Sequence, residues 1–129
     1  MEKLTATNYV DLAEDVIKNM LQTDRRGNKS IALTSSQIRN LLSLVNSVYI
    51  DAVDSKSEKL RESLQGKVQY LRLRFVYAAG REKAVEEFVK KAHIISYLKA
   101  IGDNKENLLF FCKYMEALVA YHKFYGGRD

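Results

Sequence analysis

Apolar residues recur along this chain at spacings of three and four, the period of helices that bury one face. Val10, Ala13, Ile17 and Leu21 predict a first helix over about residues 6–21. The polar stretch 22–30, with Gly27 inside it, reads as a loop. Ile38, Leu41, Leu42, Val45, Val48, Tyr49 and Ala52 give a second helix its apolar face, which fades near Asp54 and Ser55. Thr34 and Gln37 mark its start. At that spacing each side chain can satisfy the other's backbone N–H, and Leu33 and Ile38 are placed to pack across the cap.

A third helix is predicted over about 57–79, with Leu60, Leu64, Val68, Leu71, Phe75 and Ala78 in one stripe. Gly66 lies inside it, and Gly80 either ends or kinks it. Val85, Phe88, Val89, Ala92, Ile95 and Leu98 predict a fourth over about 82–100, with Gly102 as its C-cap. The fifth opens at Asp103, an N-cap with Glu106 three residues on. Leu108, Phe111, Cys112, Met115, Leu118, Val119 and His122 follow, and Gly126-Gly127 stops it. Period-two runs and Asn-Gly turns are missing. The expected architecture is all-α: a compact bundle of about five helices, one domain over residues 1–129.

Composition sharpens this. The chain has 129 residues and no proline, so glycine alone supplies its hard breaks. One cysteine excludes an internal disulfide framework and a multi-Cys zinc site. No stretch approaches the roughly 20 apolar residues of a membrane span, and the first residues carry no signal-peptide pattern. The expectation is a cytoplasmic protein with no membrane partner.

Net charge is +5, and its distribution is uneven. Between residues 56 and 83, Lys56, Lys59, Arg61, Lys67, Arg72, Arg74, Arg81 and Lys83 face only Glu58, Glu62 and Glu82, so this band carries the whole excess. A local basic band points to a polyanionic partner; a solvated helix face is the plain alternative.

No catalytic constellation is visible. His93 and His122 do not stand in metal-ligand spacing, no glycine-rich loop precedes a helix, and Cys112 lies on an apolar face as a structural thiol. Asp11, Glu14 and Asp15 form an acidic cluster that reads as a solvated face. No cofactor and no metal are implied, and the chain is not expected to be an enzyme.

What does stand out is Lys67, Tyr70, Arg74, Tyr77 and Arg81, at spacings of 3, 4, 3 and 4. On one helix they make a row in which cations bind phosphates while tyrosine rings stack on bases or pack on sugars. Equally, the tyrosines can extend the core while the cations snorkel past to carboxylates or helix ends. Arg72 and Arg61 fall on the other flank of the apolar stripe. Arg39 points off the core of the second helix, and Lys123 sits in an aromatic, basic tail before Gly126-Gly127.

Three stretches in order complete the pattern: Leu33-Thr34-Ser35-Ser36-Gln37-Ile38-Arg39, Tyr77-Ala78-Ala79-Gly80-Arg81, and residues Glu116 to Gly127. Together they resemble the small-subunit family of the type III-A CRISPR effector, the Csm complex, from about residue 30 onward. The resemblance implies a compact, non-catalytic all-α protein. Copies of it stack along a ribonucleoprotein filament, beside the backbone subunits and the large subunit. It would touch guide and target RNA through the backbone, without reading sequence. On the family's motifs Arg39 and Arg81 carry over as RNA contacts, with Lys123 beside them. Arg39 and Arg81 have a second reading, as intramolecular ion-pair partners that fix helix junctions. Lys67, Arg72, Arg74, Tyr70 and Tyr77 rest on the helix face alone.

The competing class is a helical protein–protein adaptor or dimerisation module with incidental basicity. A helix-turn-helix DNA regulator is disfavoured, because the Asp54–Ser57 connection lacks a turn glycine and the third helix is long and apolar.

Overall fold

The computed structural model describes residues 1–127. Six α-helices lie among them: α1 Tyr9–Met20, α2 Ser35–Val53, α3 Glu62–Arg81, α4 Lys83–Lys91, α5 Ile94–Ile101 and α6 Lys105–Phe124. α6 packs along α1 and α2; α3 packs on α4, α5 and α2; and α5 closes back onto α6. The shared core holds Ile17, Leu33, Ile38, Leu64, Phe75, Phe88, Phe111, Tyr114 and Leu118, each at most 1% exposed. This is the expected all-α bundle, with six helices where about five were predicted.

The extra helix comes from a break at residues 92 and 93. His93 adopts the left-handed conformation, φ 54° and ψ 36°, between α4 and α5. Histidine is one of the residue types that tolerate this region. The break frees the carbonyl of Ala92, and the buried Tyr114 hydroxyl of α6 donates to it at 3.0 Å. The partner that satisfies the break is 22 residues distant, so no local signal announces it.

Two loops also depart from the expected pattern. The segment 22–30 forms a small antiparallel hairpin, β1 Gln22–Thr23 with β2 Lys29–Ser30, Gln22 opposite Ser30. Asp24 shapes its turn, its Oδ1 accepting from the N–H of Arg26 (2.8 Å) and of Asn28 (2.9 Å), with Gly27 at φ +82°. α3 starts at Glu62 rather than near 57 because residues 58–60 run extended beside the α5–α6 connection. Leu60 N–H donates to the Asp103 carbonyl at 2.7 Å, and Lys105 N–H to the Glu58 carbonyl at 3.0 Å.

Elsewhere, helix ends follow local chemistry. The capping box forms in full: Gln37 N–H donates to Thr34 Oγ1 at 3.1 Å, and Thr34 N–H to Gln37 Oε1 at 2.9 Å. Gly80 neither ends nor breaks α3; the helix runs through it to Arg81 and stops where Glu82 turns extended. The N-cap of α6 is Asn104, one residue past Asp103, with Oδ1 accepting from Asn107 N–H at 2.9 Å. In α1 the buried row is Ala13, Ile17 and Met20, while Val10 in the first turn stays 40% exposed. Among the described residues no helix is long and apolar enough to cross a membrane.

Candidate nucleic-acid interface

α3 buries Leu64, Val68, Leu71 and Phe75, and this fixes where its other residues point. Lys67, Tyr70, Arg74, Tyr77 and Arg81 are all exposed along one flank, which borders α2. Tyr70 and Tyr77 are 58% and 61% exposed, so they do not extend the core. From Lys67 to Arg81 the row covers about 21 Å at the α-helical rise.

Within the row a unit repeats. The Arg74 guanidinium lies over the Tyr70 ring, 5.8 Å from its centroid, and Arg81 lies over Tyr77 at 5.7 Å. Each arginine thus stacks on the tyrosine four residues before it, and the two units are seven residues apart, about 10.5 Å along the axis. Arg74 also donates from Nη1 to the Tyr70 hydroxyl at 3.5 Å, which leaves its other N–H groups, and those of Arg81, to match a phosphate. Neither Arg74 nor Arg81 has a carboxylate partner among the described residues.

Lys67 differs. Its ammonium donates to Asp51 of α2 as an ion pair. That hydrogen bond is the main reason the Asp51 carboxyl is held below the ordinary carboxylate value, with burial opposing it and the Lys67 and Arg61 charges adding to it. Arg72 lies about 160° around the helix from Arg74, on the opposite flank. It donates to the Gln69 side chain at 2.9 Å. The row and Arg72 therefore serve different surfaces.

The remaining two candidates belong to one end of the bundle. Gln37 donates to the Glu82 carboxylate, which ties the α3–α4 junction to the first turn of α2. The buried His122 ring of α6 bonds the Leu33 carbonyl through Nε2 at 2.7 Å, which brings the end of α6 to the same turn. Arg39, Arg81 and Lys123 are all carried on the elements that meet there. Arg39 is exposed, with Nε donating to the Ser35 carbonyl at 3.3 Å, and Lys123 is exposed beside Phe124. Residues 128 and 129 lie outside the described residues.

Between α2 and α3 runs a groove of about 390 Å³, lined by Gln37, Asn40, Leu41, Leu44, Arg74, Tyr77, Ala78, Arg81, Glu82 and Val85. Sequence reading gave Gln37 a capping role only, counted Glu82 only as an acid within the basic band, and passed over Asn40. They join Arg74 and Arg81 only through packing of α2 against the α3–α4 junction.

The rest of the molecule offers little reactive chemistry. Cys112 is buried, and burial pushes its thiol up to about 12. Among the described residues no three His, Cys, Asp or Glu side chains gather as a metal-holding group.

Residues 11–128 match the profile of the Csm2 type III-A family. The chain belongs to that family. A Streptococcus thermophilus relative, CRISPR system Cms protein Csm2, is 52% identical over 129 residues, covering all of both chains. A Mycobacterium tuberculosis protein of the same description is 48% identical over 97 residues, 75% of this chain and 78% of its own. One from Enterococcus italicus is 39% identical over 116 residues, covering 85% and 83%. The Csm2 match begins in α1 and takes in the whole α3 row and the groove beside it.

Proposed function

We propose that this Csm2-family chain is a non-catalytic small subunit of a type III-A CRISPR ribonucleoprotein. In this reading it works in the cytoplasm, stacks with further copies beside the backbone and large subunits, and holds guide or target RNA through its phosphates. One observation carries the RNA part: Arg74 and Arg81 are exposed, each stacked on its own tyrosine, and without a carboxylate partner among the described residues. Cations placed this way neutralise phosphates and release counterions, which gives affinity without sequence reading. Arg39 and Lys123 extend the basic surface at the shared end of the bundle, and Lys67 joins only when it leaves Asp51. Arg72 serves a separate contact.

The test is charge reversal at Arg74 and Arg81 in the purified protein. Single-stranded RNA binding should fall steeply, with melting within a degree or two of the parent, because neither side chain holds the core. In the parent, log affinity should fall with log salt at roughly 0.7 per phosphate contact. Collapse of melting with unchanged RNA binding would show that these arginines are structural.

The adaptor reading retains one supporting observation. Leu73 and Val76 on the outward face of α3 are 60% and 51% exposed, and Ile50 on α2 is 62% exposed. In the proposed assembly these side chains would meet protein neighbours, with Leu73 one helical turn from both Tyr70 and Tyr77 and so beside the tyrosine–arginine row.

A further inference from the structure

We infer that the α2–α3 groove seats one unpaired nucleotide and favours a base that carries an exocyclic amino group. The inference rests on the RNA reading above and goes beyond it, since contacts to phosphates alone would ignore the base.

The groove's volume, about 390 Å³, lies within the range of small-ligand clefts. Its walls differ in chemistry. Arg74 and Arg81 supply positive charge on the α3 side, and Leu41, Leu44 and Ala78 make an apolar floor. Tyr77 offers a ring at the rim, 61% exposed. Bases of single strands are recognised by stacking on such rings and by hydrogen bonds along their edges.

The polar groups on the opposite side are set in advance. Thr34 N–H donates to Gln37 Oε1 at 2.9 Å, so the Gln37 amide has a fixed orientation, with Nε2 turned to Glu82. Gln37 Nε2 then occupies Oε2 of Glu82 and leaves Oε1 as an acceptor in the groove. The helix cap of α2 therefore holds a carboxylate in the groove at the end of α3, next in sequence to Arg81. A carboxylate there repels phosphate and accepts from an amino group. Glutamate is a partner for the cytosine N4 amino group, and asparagine for the adenine edge. Asn40, exposed and without a side-chain bond, stands in the same groove. Cytosine and adenine satisfy both groups. At the position of the amino group uracil presents O4, an acceptor that repels the carboxylate, and its edge donor N3–H meets the carboxylate only if the base shifts along its edge.

Cytidine and uridine oligomers of about ten nucleotides, a length within single-strand site sizes, isolate this difference. Binding of the full chain to labelled rC and rU oligomers is measured by fluorescence anisotropy at one salt concentration. The rC oligomer should bind at least about five-fold tighter, the lower end of discrimination by a base-edge pair. Glu82→Ala should raise rU affinity and bring the two oligomers level. Asn40→Ala should narrow the gap, with the same salt slope as the parent. Neither residue is part of the core, and a melting scan of each variant confirms that the bundle persists.

Equal binding of rC and rU by the parent, with affinity still lost on reversing Arg74 and Arg81, would overturn the groove and leave the phosphate reading standing. A preference for rC that survives both groove substitutions would overturn it too. If neither oligomer binds, the RNA reading fails and the groove falls with it.

Discussion

Replacing Tyr114 with phenylalanine tests whether the α4–α5 break is held from a distance. The Tyr114 hydroxyl donates at 3.0 Å to the Ala92 carbonyl, which takes no helical bond because His93 turns left-handed behind it. Tyr114 is 1% exposed, so water cannot replace the lost donor. Phenylalanine keeps the ring and its edge-on contact with Tyr97, 5.3 Å between centroids at 67°, so the change isolates one hydrogen bond. An orphaned buried acceptor costs about 1–3 kcal/mol. With a urea m-value of about 1–3 kcal/mol per molar, the midpoint should fall by roughly 1 M and the slope should not change. Melting should drop by about 3–5 °C for each kcal/mol in a chain of this length. Tyr97→Phe is the control. It loses a 2.6 Å bond to the Glu2 carbonyl in the exposed N-terminal stretch, and should cost under about 1 kcal/mol. If Tyr114→Phe is as stable as the parent within about 0.5 kcal/mol, the break does not depend on this bond and the reason given for the sixth helix is wrong.

His93→Gly should stabilise the protein by about 0.5–1 kcal/mol, since glycine adopts φ 54° without the Cβ penalty; a loss of melting temperature would count against it. Asp51→Asn should raise RNA affinity and steepen the salt slope by roughly 0.7, because it releases Lys67 to a phosphate; an unchanged slope would leave Lys67 outside the interface. The same pair sets a pH dependence. The folded carboxyl of Asp51 titrates below its ordinary value of 3.8, so its contribution is present above that value. It is lost as pH falls through the lower folded one, a loss absent from Asp51→Asn in acid titration of melting. Cys112, buried and pushed up to about 12, should react with iodoacetamide at pH 8 only at the rate of unfolding. Fast labelling of the folded protein would show that the core around Phe111 opens.

Helices, stripes and caps were legible where the deciding groups are local. Thr34 and Gln37 reach each other across one turn, and the stripe Leu64, Val68, Leu71, Phe75 needs only the helical period. The same period put the tyrosine–arginine row on one flank and Arg72 on the other, but left open whether the tyrosines extend the core, which their exposure of 58% and 61% decides. What escaped was decided elsewhere in the chain. No glycine or proline marks the break at His93, whose support comes from Tyr114 on another helix. Residues 58–60 read as helix because the strand-like partner that straightens them, the stretch around Asn104, is 45 residues away. The groove was invisible for the same reason: Asn40 and Glu82 each look like ordinary surface residues until α2 meets the end of α3. Lys67 shows the intermediate case. Periodicity put it in the row, yet its partner Asp51 lies on the neighbouring helix, so its two possible roles could not be separated along the sequence.

α3 gives one length of chain two independent tasks. Leu64, Val68, Leu71 and Phe75 answer to the core, while Tyr70, Arg74, Tyr77 and Arg81 answer to whatever lies outside, and no position belongs to both sets. Mutations that tune outside contacts can therefore accumulate without eroding the bundle. Over time such a helix can change the strength of its grip while the fold that carries it stays the same. For an engineer the same separation makes this flank the place to adjust affinity, with each step checked by melting alone.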